Sequence, residues 1–470
     1  MTRRDEAHRA RRGVRDALRG RARCRGRGDR FAGLATGWWR VPEALEIRAP
    51  ASGALLGAVQ PVDLAEAAEA GKVAQPLWSL VPIASRARYI RRTAVAMLDE
   101  LDRLAIALAD ETGWPKSQIV LSELLPAVRG LHALASDGPR ALADQRLAPR
   151  TALLAGRSTR LVHSPVGVIG LRGPSASPWA EPAIEAAAAL LAGNAVILAA
   201  GAPLAAQRLR QIFLRAGLPG ELLTTSPAAE ASLDDVCRRV HDLQPPTRLG
   251  TLVVLEGAPK DQLVEAALWA AFAGCGRHPA AAGRLVMVEG AVPGLVDALR
   301  AGAARLKVGD PRAEDTDIGP TAPGVFATPE ILAGVSPDDP RFTAPADLTL
   351  AVVEVPDADT AVRVAARDGR DGPISVWARD RYKGERVSRR LPSETTWFGR
   401  HGLSPTAVEV RIARHVVARQ LEWRAPWAPG TPSLPATDVP FMTALAELRH
   451  GRESRRWPAL RAVIGSRRKR

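Results

Sequence analysis

The uncharged run from Ala186 to Ala200 constrains the fold of this chain more than any other stretch. It tempts a membrane-spanning reading, but Gly193 and Asn194 split it, and Gly or Asn at such a place stops a helix. What remains is a short apolar helix followed at once by an apolar strand. A strand without polar alternation is buried on both faces, as in a parallel sheet covered by helices. From Val162 to Leu255 such runs alternate with helical patterns, which predicts an α/β fold with a doubly wound parallel sheet. No membrane span is expected, and the Arg-rich start is not followed by the apolar stretch of a signal peptide.

At 470 residues with 46% apolar content, the chain can bury two domain-sized cores. Asp63 reads as the cap of an alanine-rich helix. Arg86 to Leu108 carries a stripe (Ile90, Ala94, Met97, Leu101, Leu104, Leu108) expected to pack into the core. The net charge of +15 is unevenly placed. Residues 1–30 carry +8 and residues 449–470 another +8, so the stretch between them stands at −1. Such tails suit polyanion contact, with phosphate backbones or anionic surfaces, or are plain solvated extensions. Cys24, Cys237 and Cys275 are too few for a disulfide framework, and a reducing cytoplasmic setting follows.

Several motifs stand in one order along the chain. They include Glu111-Thr112-Gly113-x-Pro115, Ser164-Pro165-Val166-Gly167-Val168-Ile169-Gly170 and Leu191-Ala192-Gly193-Asn194-Ala195-Val196-Ile197-Leu198. Leu306-Lys307-Val308-Gly309-Asp310-Pro311, Thr316-Asp317-Ile318-Gly319-Pro320 and Ser375-Val376-Trp377-Ala378-Arg379-Asp380 follow. Together they resemble the aldehyde dehydrogenase superfamily from residue 41 to residue 401. The resemblance implies a Rossmann-type nucleotide-binding-like domain over 31–248 and a second α/β, catalytic-like domain over 249–425. It leaves residues 1–30 as an Arg-rich tail and 426–470 as a linker, a short helix at Met442–Leu448 and a basic end. Trp423 to Gly430 reads as irregular. The family activity is NAD(P)-dependent oxidation of an aldehyde to a carboxylic acid, so NAD or NADP is the implied cofactor.

The resemblance fails where the family keeps its chemistry. Phe272-Ala273-Gly274-Cys275-Gly276-Arg277-His278-Pro279 is similar to the family's Phe-x-Asn-x-Gly-Gln-x-Cys, which puts Pro279 at the nucleophile. Proline has no nucleophilic atom. Ala176 stands where a family Asn donates to the oxyanion, and loss of such a donor costs on the order of 100- to 1000-fold in rate. Counting back from Phe272 puts Pro245 at the general-base Glu. The cofactor positions Gly173, Pro174, Ala199 and Ala344 are equally degenerate, with Ala199 in place of a Lys and Ala344 in place of a Glu. At the end of the last catalytic-like strand, Gly399 replaces an Asn before His401.

Two segments read as shortened. Between Leu223 and Leu252 the family's Gly-Ser-Thr-x-x-Gly turn, which opens a helix toward the cofactor pyrophosphate, is missing. Between Pro320 and Phe326 an αβ unit is missing. The expectation is therefore an inactive family member acting as scaffold or partner subunit, in a homo-oligomer or a hetero-oligomer with an active paralogue. Two alternatives stand beside it. Cys275, with His278 three residues on, is a candidate relocated thiol, and the basic tails are candidates for polyanion binding. Cys237 and His241 with Cys275 and His278 also make a zinc set of unusual spacing, although each residue has a core reading.

Overall fold

Ala180–Leu191 is helical with every side chain but that of Glu181 buried, and Ala195–Ala200 follows as a strand buried throughout. The break between them is made by two residues. Gly193 takes φ +95°, open to glycine but not to most side chains, and an added Cβ would meet the Arg86 guanidinium at 3.5 Å. Asn194 is wholly buried and fully used. Its Oδ1 accepts from the amides of Val166 (2.6 Å) and Gly167 (2.9 Å), while Nδ2 donates to the carbonyls of Ala189 (3.0 Å) and His415 (2.8 Å).

The computed structural model describes residues 44–470 apart from 148–156, 175–176, 228–231, 244–249, 279, 346–347, 368–371, 394–395, 403–407, 425–443, 445–446, 448–452 and 468–470. Strands β1 (Leu45–Arg48) and β2 (Leu55–Val59) form a hairpin. Helices α1 (Leu64–Ser79), α2 (Ile83–Asp99), α3 (Leu101–Thr112) and α4 (Lys116–Ala141) come next. Strands β3 (Gln145–Leu147), β4 (Arg157–Pro165) and β5 (Val168–Gly173) lead to α5 (Ala180–Leu191), β6 (Ala195–Ala200), α6 (Pro203–Arg215), β7 (Leu223–Pro227) and β8 (Arg239–Asp242). The second half runs through β9 (Gly250–Val254), α7 (Lys260–Phe272), β10 (Ala282–Val288), α8 (Leu295–Ala303), β11 (Glu330–Ala333) and β12 (Thr349–Val355). It continues with α9 (Ala358–Ala366), β13 (Ile374–Trp377), α10 (Arg381–Ser388), β14 (Thr396–Phe398), α11 (Val408–Arg414) and β15 (Val416–Arg424).

Two parallel sheets carry the architecture. The first has strand order β7-β6-β5-β8 and the second β11-β12-β10-β9-β13-β14. Each strand of the second sheet feeds both of its faces because successive side chains point opposite ways. Leu252, Leu285 and Leu350 pack with α7 and α8, while Val253, Val286 and Val353 pack with α9 and α10. Asp63 caps α1, its carboxylate accepting from the amides of Ala65 (2.9 Å) and Glu66 (3.0 Å). The stripe read over Arg86 to Leu108 is buried as expected at Ile90, Ala94, Met97, Leu104 and Leu108, but it is shared by α2 and α3, which break at Glu100.

Within the first shortened stretch, β8 pairs parallel with β5 from Arg239 opposite Ile169. Two expectations change. Residues 408–424, expected within the second lobe, lie instead on the first. β15 pairs antiparallel with β4 from Val416 opposite Pro165 to Arg424 opposite Arg157, and α11 packs on α4 and α5. Trp423 and Arg424 are thus strand residues, not linker. Most of Met442–Leu448 and of the rest of that linker lies outside the described residues. In the second shortening, residues 304–329 hold no helix between α8 and β11. Among the described residues one helix, α4, is long and apolar enough to cross a membrane, yet half of its apolar window is buried, packed against α2 and α5.

Candidate active site

Helix α7 ends at Phe272 and the chain turns sharply before β10. Gly274, Cys275 and Gly276 all take left-handed backbone angles (φ 61°, 54° and 69°). For Cys275 that conformation costs about 1–2 kcal/mol. Its surroundings hold it there. The Gly274 amide donates to Gln118 Oε1 (2.8 Å), and Gln118 Nε2 donates to the carbonyl of Asp317 (2.6 Å). A side chain at 274 would run into the Trp114 ring at 2.5 Å. Arg277 Nη2 donates to the carbonyls of Thr112 (3.1 Å) and Pro320 (3.3 Å). The motifs around Gly113, Asp317 and Pro320 therefore lock this turn from both sides.

Cys275 is wholly buried, with Sγ 3.7 Å from the carbonyl of Gly113, to which the thiol donates. His278 is buried beside Trp114 and Trp269, and its Nδ1 accepts from the amide of Ala280 (3.0 Å). Burial pushes its pKa down to about 3. An imidazole that weakly basic is a poor acceptor for a thiol proton. The Cys275 thiol engages the Gly113 carbonyl, and His278 Nδ1 engages the Ala280 amide.

His401 closes the turn from the other lobe edge. Its Nε2 lies 2.7 Å from the carbonyl of Ala280, which can only accept, so Nε2 carries the proton. Nδ1 then accepts from the Ser375 hydroxyl (2.9 Å), whose oxygen accepts from Trp377 Nε1 (3.1 Å). Burial pushes the His401 pKa down to about 4. The ring is a neutral clasp between β13 and the turn.

The sequence reading missed Glu123. It lies wholly buried on a π-helical turn, Val120–Leu124, inside α4. Its carboxylate accepts from the amides of Trp179 (3.0 Å) and Ala180 (2.7 Å) at the start of α5, and from the Ser177 hydroxyl (3.1 Å). Burial outweighs those donors and pushes the pKa up to about 7. The extra residue of a π turn re-aims a side chain, and no residue-level pattern announces it. The only available signal was a carboxylate within the apolar stretch Ile119–Leu125.

Pro279, Ala176 and Pro245 lie outside the described residues. Gly173 ends β5, with Pro174 just beyond it, beside Ala199, which is buried in β6 and offers only a methyl group. Ala344 is exposed on the second lobe, its amide bonded to the carbonyl of Pro340 (2.8 Å). At the carboxyl edge of β5 and β8, Arg172 is paired with Asp242 (2.9 Å) and with Asp234. Only residues 243–249 link β8 to β9. A helix takes about 3.6 residues per turn, so this link has no length for both a helix and a crossing. With so short a link, and with Asp234 and Asp242 at this edge, these residues do not fit the family's dinucleotide cradle. Cys237 and His241 belong to the first lobe, and among the described residues no three metal-ligating side chains gather, so the zinc set does not assemble.

Comparison with known proteins agrees with this architecture. The chain belongs to the aldehyde dehydrogenase family, whose pattern matches residues 39–239 and 250–323, more than half of the chain. The match breaks over 240–249, the stretch that contains Pro245. A succinate-semialdehyde dehydrogenase [NADP(+)] of Deinococcus radiodurans is 26% identical over 390 residues, 68% of this chain and 79% of that protein. Betaine aldehyde dehydrogenase 2 of Rhizobium meliloti is 26% identical over 410 residues, 73% of this chain and 82% of its own. Among solved structures, the NAD+ complex of an aldehyde dehydrogenase from Bacillus cereus superposes with a TM-score of 0.75 at 17% identity, covering 81% of this chain and 93% of that one. The NAD-dependent benzaldehyde dehydrogenase of Corynebacterium glutamicum gives 0.72 at 18%, with 82% and 96% covered. Both likenesses show the shared fold.

Proposed function

We propose that this chain is a catalytically silent member of the aldehyde dehydrogenase family that serves as a scaffold or as a partner subunit. The observation that carries the reading is the packing of the Phe272–Ala282 turn. In place of a thiol open to substrate, the turn presents a buried Cys275, a neutral His278 and a clasped His401. Proline at 279, alanine at 176 and proline at 245 leave no nucleophile, oxyanion donor or base at the positions the family resemblance assigns. Loss of all three groups together is consistent with silence, because each acts on the same tetrahedral intermediate.

NAD(P) binding in the family manner is not expected, given Ala199, the short link after β8 and the Arg172–Asp234–Asp242 cluster. The domain limits at 31–248 and 249–425 are kept with one change, the assignment of 408–424 to the first lobe. A cytoplasmic location remains part of the same proposal. The test is an assay of NADH and NADPH formation from a panel of aliphatic, aromatic and semialdehyde substrates. No turnover above the uncatalysed rate is expected. Turnover that disappears in Cys275→Ala would overturn the reading and reinstate the relocated thiol.

A second reading rests on the charge distribution, with +8 at each end of a nearly neutral body. The tails then tether the silent shell to a polyanion. Retention on a polyanion column should fall sharply with added salt and vanish when residues 1–30 and 449–470 are removed. Retention that survives the removal would discard it.

A further inference from the structure

The second sheet contains a crevice at the carboxyl ends of its strands, the end away from the Phe272–Ala282 turn, which leads into the amino end of β10. The chain leaves β9 into α7 and β10 into α8, both on one face, whereas it leaves β13 into α10 on the opposite face. Adjacent strands β9 and β13 thus send their connections to opposite sides. In open α/β sheets such a switch point is where ligands bind, because the diverging loops leave a crevice outside the strand ends. A cavity of about 550 Å³ lies there, within the range of small-molecule sites.

Its chemistry is two-sided. Three cations line it, Lys260 from the start of α7 and Arg379 and Lys383 from the β13–α10 connection. Of the two carboxylates present, Asp380 is committed to capping α10 through the amides of Tyr382 (2.8 Å) and Lys383 (3.3 Å). Glu256 is the other, with Asp261 next to Lys260 in the first turn of α7. Lys260 Nζ is steadied by the carbonyl of Pro293 (3.1 Å), which leaves it further protons to donate. Gly257 takes φ +70°, and an added Cβ would press on the Arg379 side chain at 3.0 Å, so a glycine there lets the guanidinium cross the mouth. Helix α7 starts on Pro259 without a side-chain cap. The remaining wall is apolar, formed by Leu255, Ala258, Val292 and Ala378.

We propose that this crevice binds a small phosphorylated metabolite, its phosphate held by Lys260, Arg379 and Lys383 and its body laid against the apolar wall. Arginine and lysine together suit a phosphate, the first through its planar fork and the second as a point charge. The site is independent of the family's aldehyde and cofactor positions, so it can act in a protein that has lost both.

The probe is ribose 5-phosphate, titrated into the full chain by calorimetry, with ribose as the uncharged control. Saturable one-to-one binding with a Kd below about 1 mM is expected for the phosphate and none for ribose. The exposed pair Arg379→Ala/Lys383→Ala should weaken it at least tenfold with no change in melting temperature, while Arg456→Ala in the basic end should leave it unchanged. Binding equal in wild type and double variant would place the phosphate on the tails and overturn the proposal, as would the absence of saturable binding.

Discussion

At the scale of single residues, the Phe272–Ala282 turn reads as core. Gly274→Ala should cost more than about 2 kcal/mol, because it adds a methyl group into the Trp114 ring at a left-handed position. A change within 0.5 kcal/mol in urea unfolding would mean that the turn is looser than described. Cys275 should resist alkylation until the chain unfolds. Mass spectrometry of iodoacetamide-treated protein checks this, and labelling of Cys275 ahead of Cys237 would contradict it. Burial also sets the pH response. His278 and His401, whose pKa values fall to about 3 and about 4, bind fewer protons folded than unfolded, so stability rises with pH until about 6.5. Glu123, raised to about 7, binds more protons folded, so its own contribution falls as pH climbs from about 4.5 to 7. The two histidines outweigh one carboxylate below pH 6.5. Glu123→Gln should remove the decline between pH 6.5 and 7.5 in melting curves; an unchanged profile would reassign that decline.

At the scale of elements, the docking of α11 and β15 is the least sequence-evident part of the fold. Arg411 is buried with Glu181 (2.9 and 3.0 Å) and Glu185 (2.5 Å), and His415 Nε2 meets Glu185 at 2.6 Å. Arg411→Ala leaves the wholly buried Glu185 with only part of its compensation and should cost about 3–5 kcal/mol. A cost below 1 kcal/mol would mean that the strand pairing alone holds this segment. The α5–β6 unit was legible because uninterrupted apolar sequence has few alternatives to burial. Residues 416–424 were not, since mixed polar and apolar strand residues acquire meaning only opposite β4. The role of Glu123 was likewise hidden, because the π turn that re-aims it is a property of the folded helix. His401 was read as the end of a strand, but β14 stops at Phe398, and the histidine's clasp on Ala280 depends on two segments more than 100 residues apart.

At the scale of the whole molecule, the family shell is retained, and on the proposed reading the groups behind the family reaction have been replaced within it. The shell persists because its motifs are structural. Asn194 joins three segments, Gly113 approaches Pro320 so closely that a side chain would meet it at 2.8 Å, and Gly193 makes the turn into β6. None of these requires a thiol or a cofactor. The near-neutral body and the basic ends place the two candidate roles, shell and tether, on different stretches of the sequence. The most direct measurement is calorimetric titration of the full chain with NAD and with NADP. No saturable binding is expected up to millimolar concentrations. One-to-one binding in the micromolar range would contradict it, because a working cradle would then exist despite Ala199 and the short link after β8.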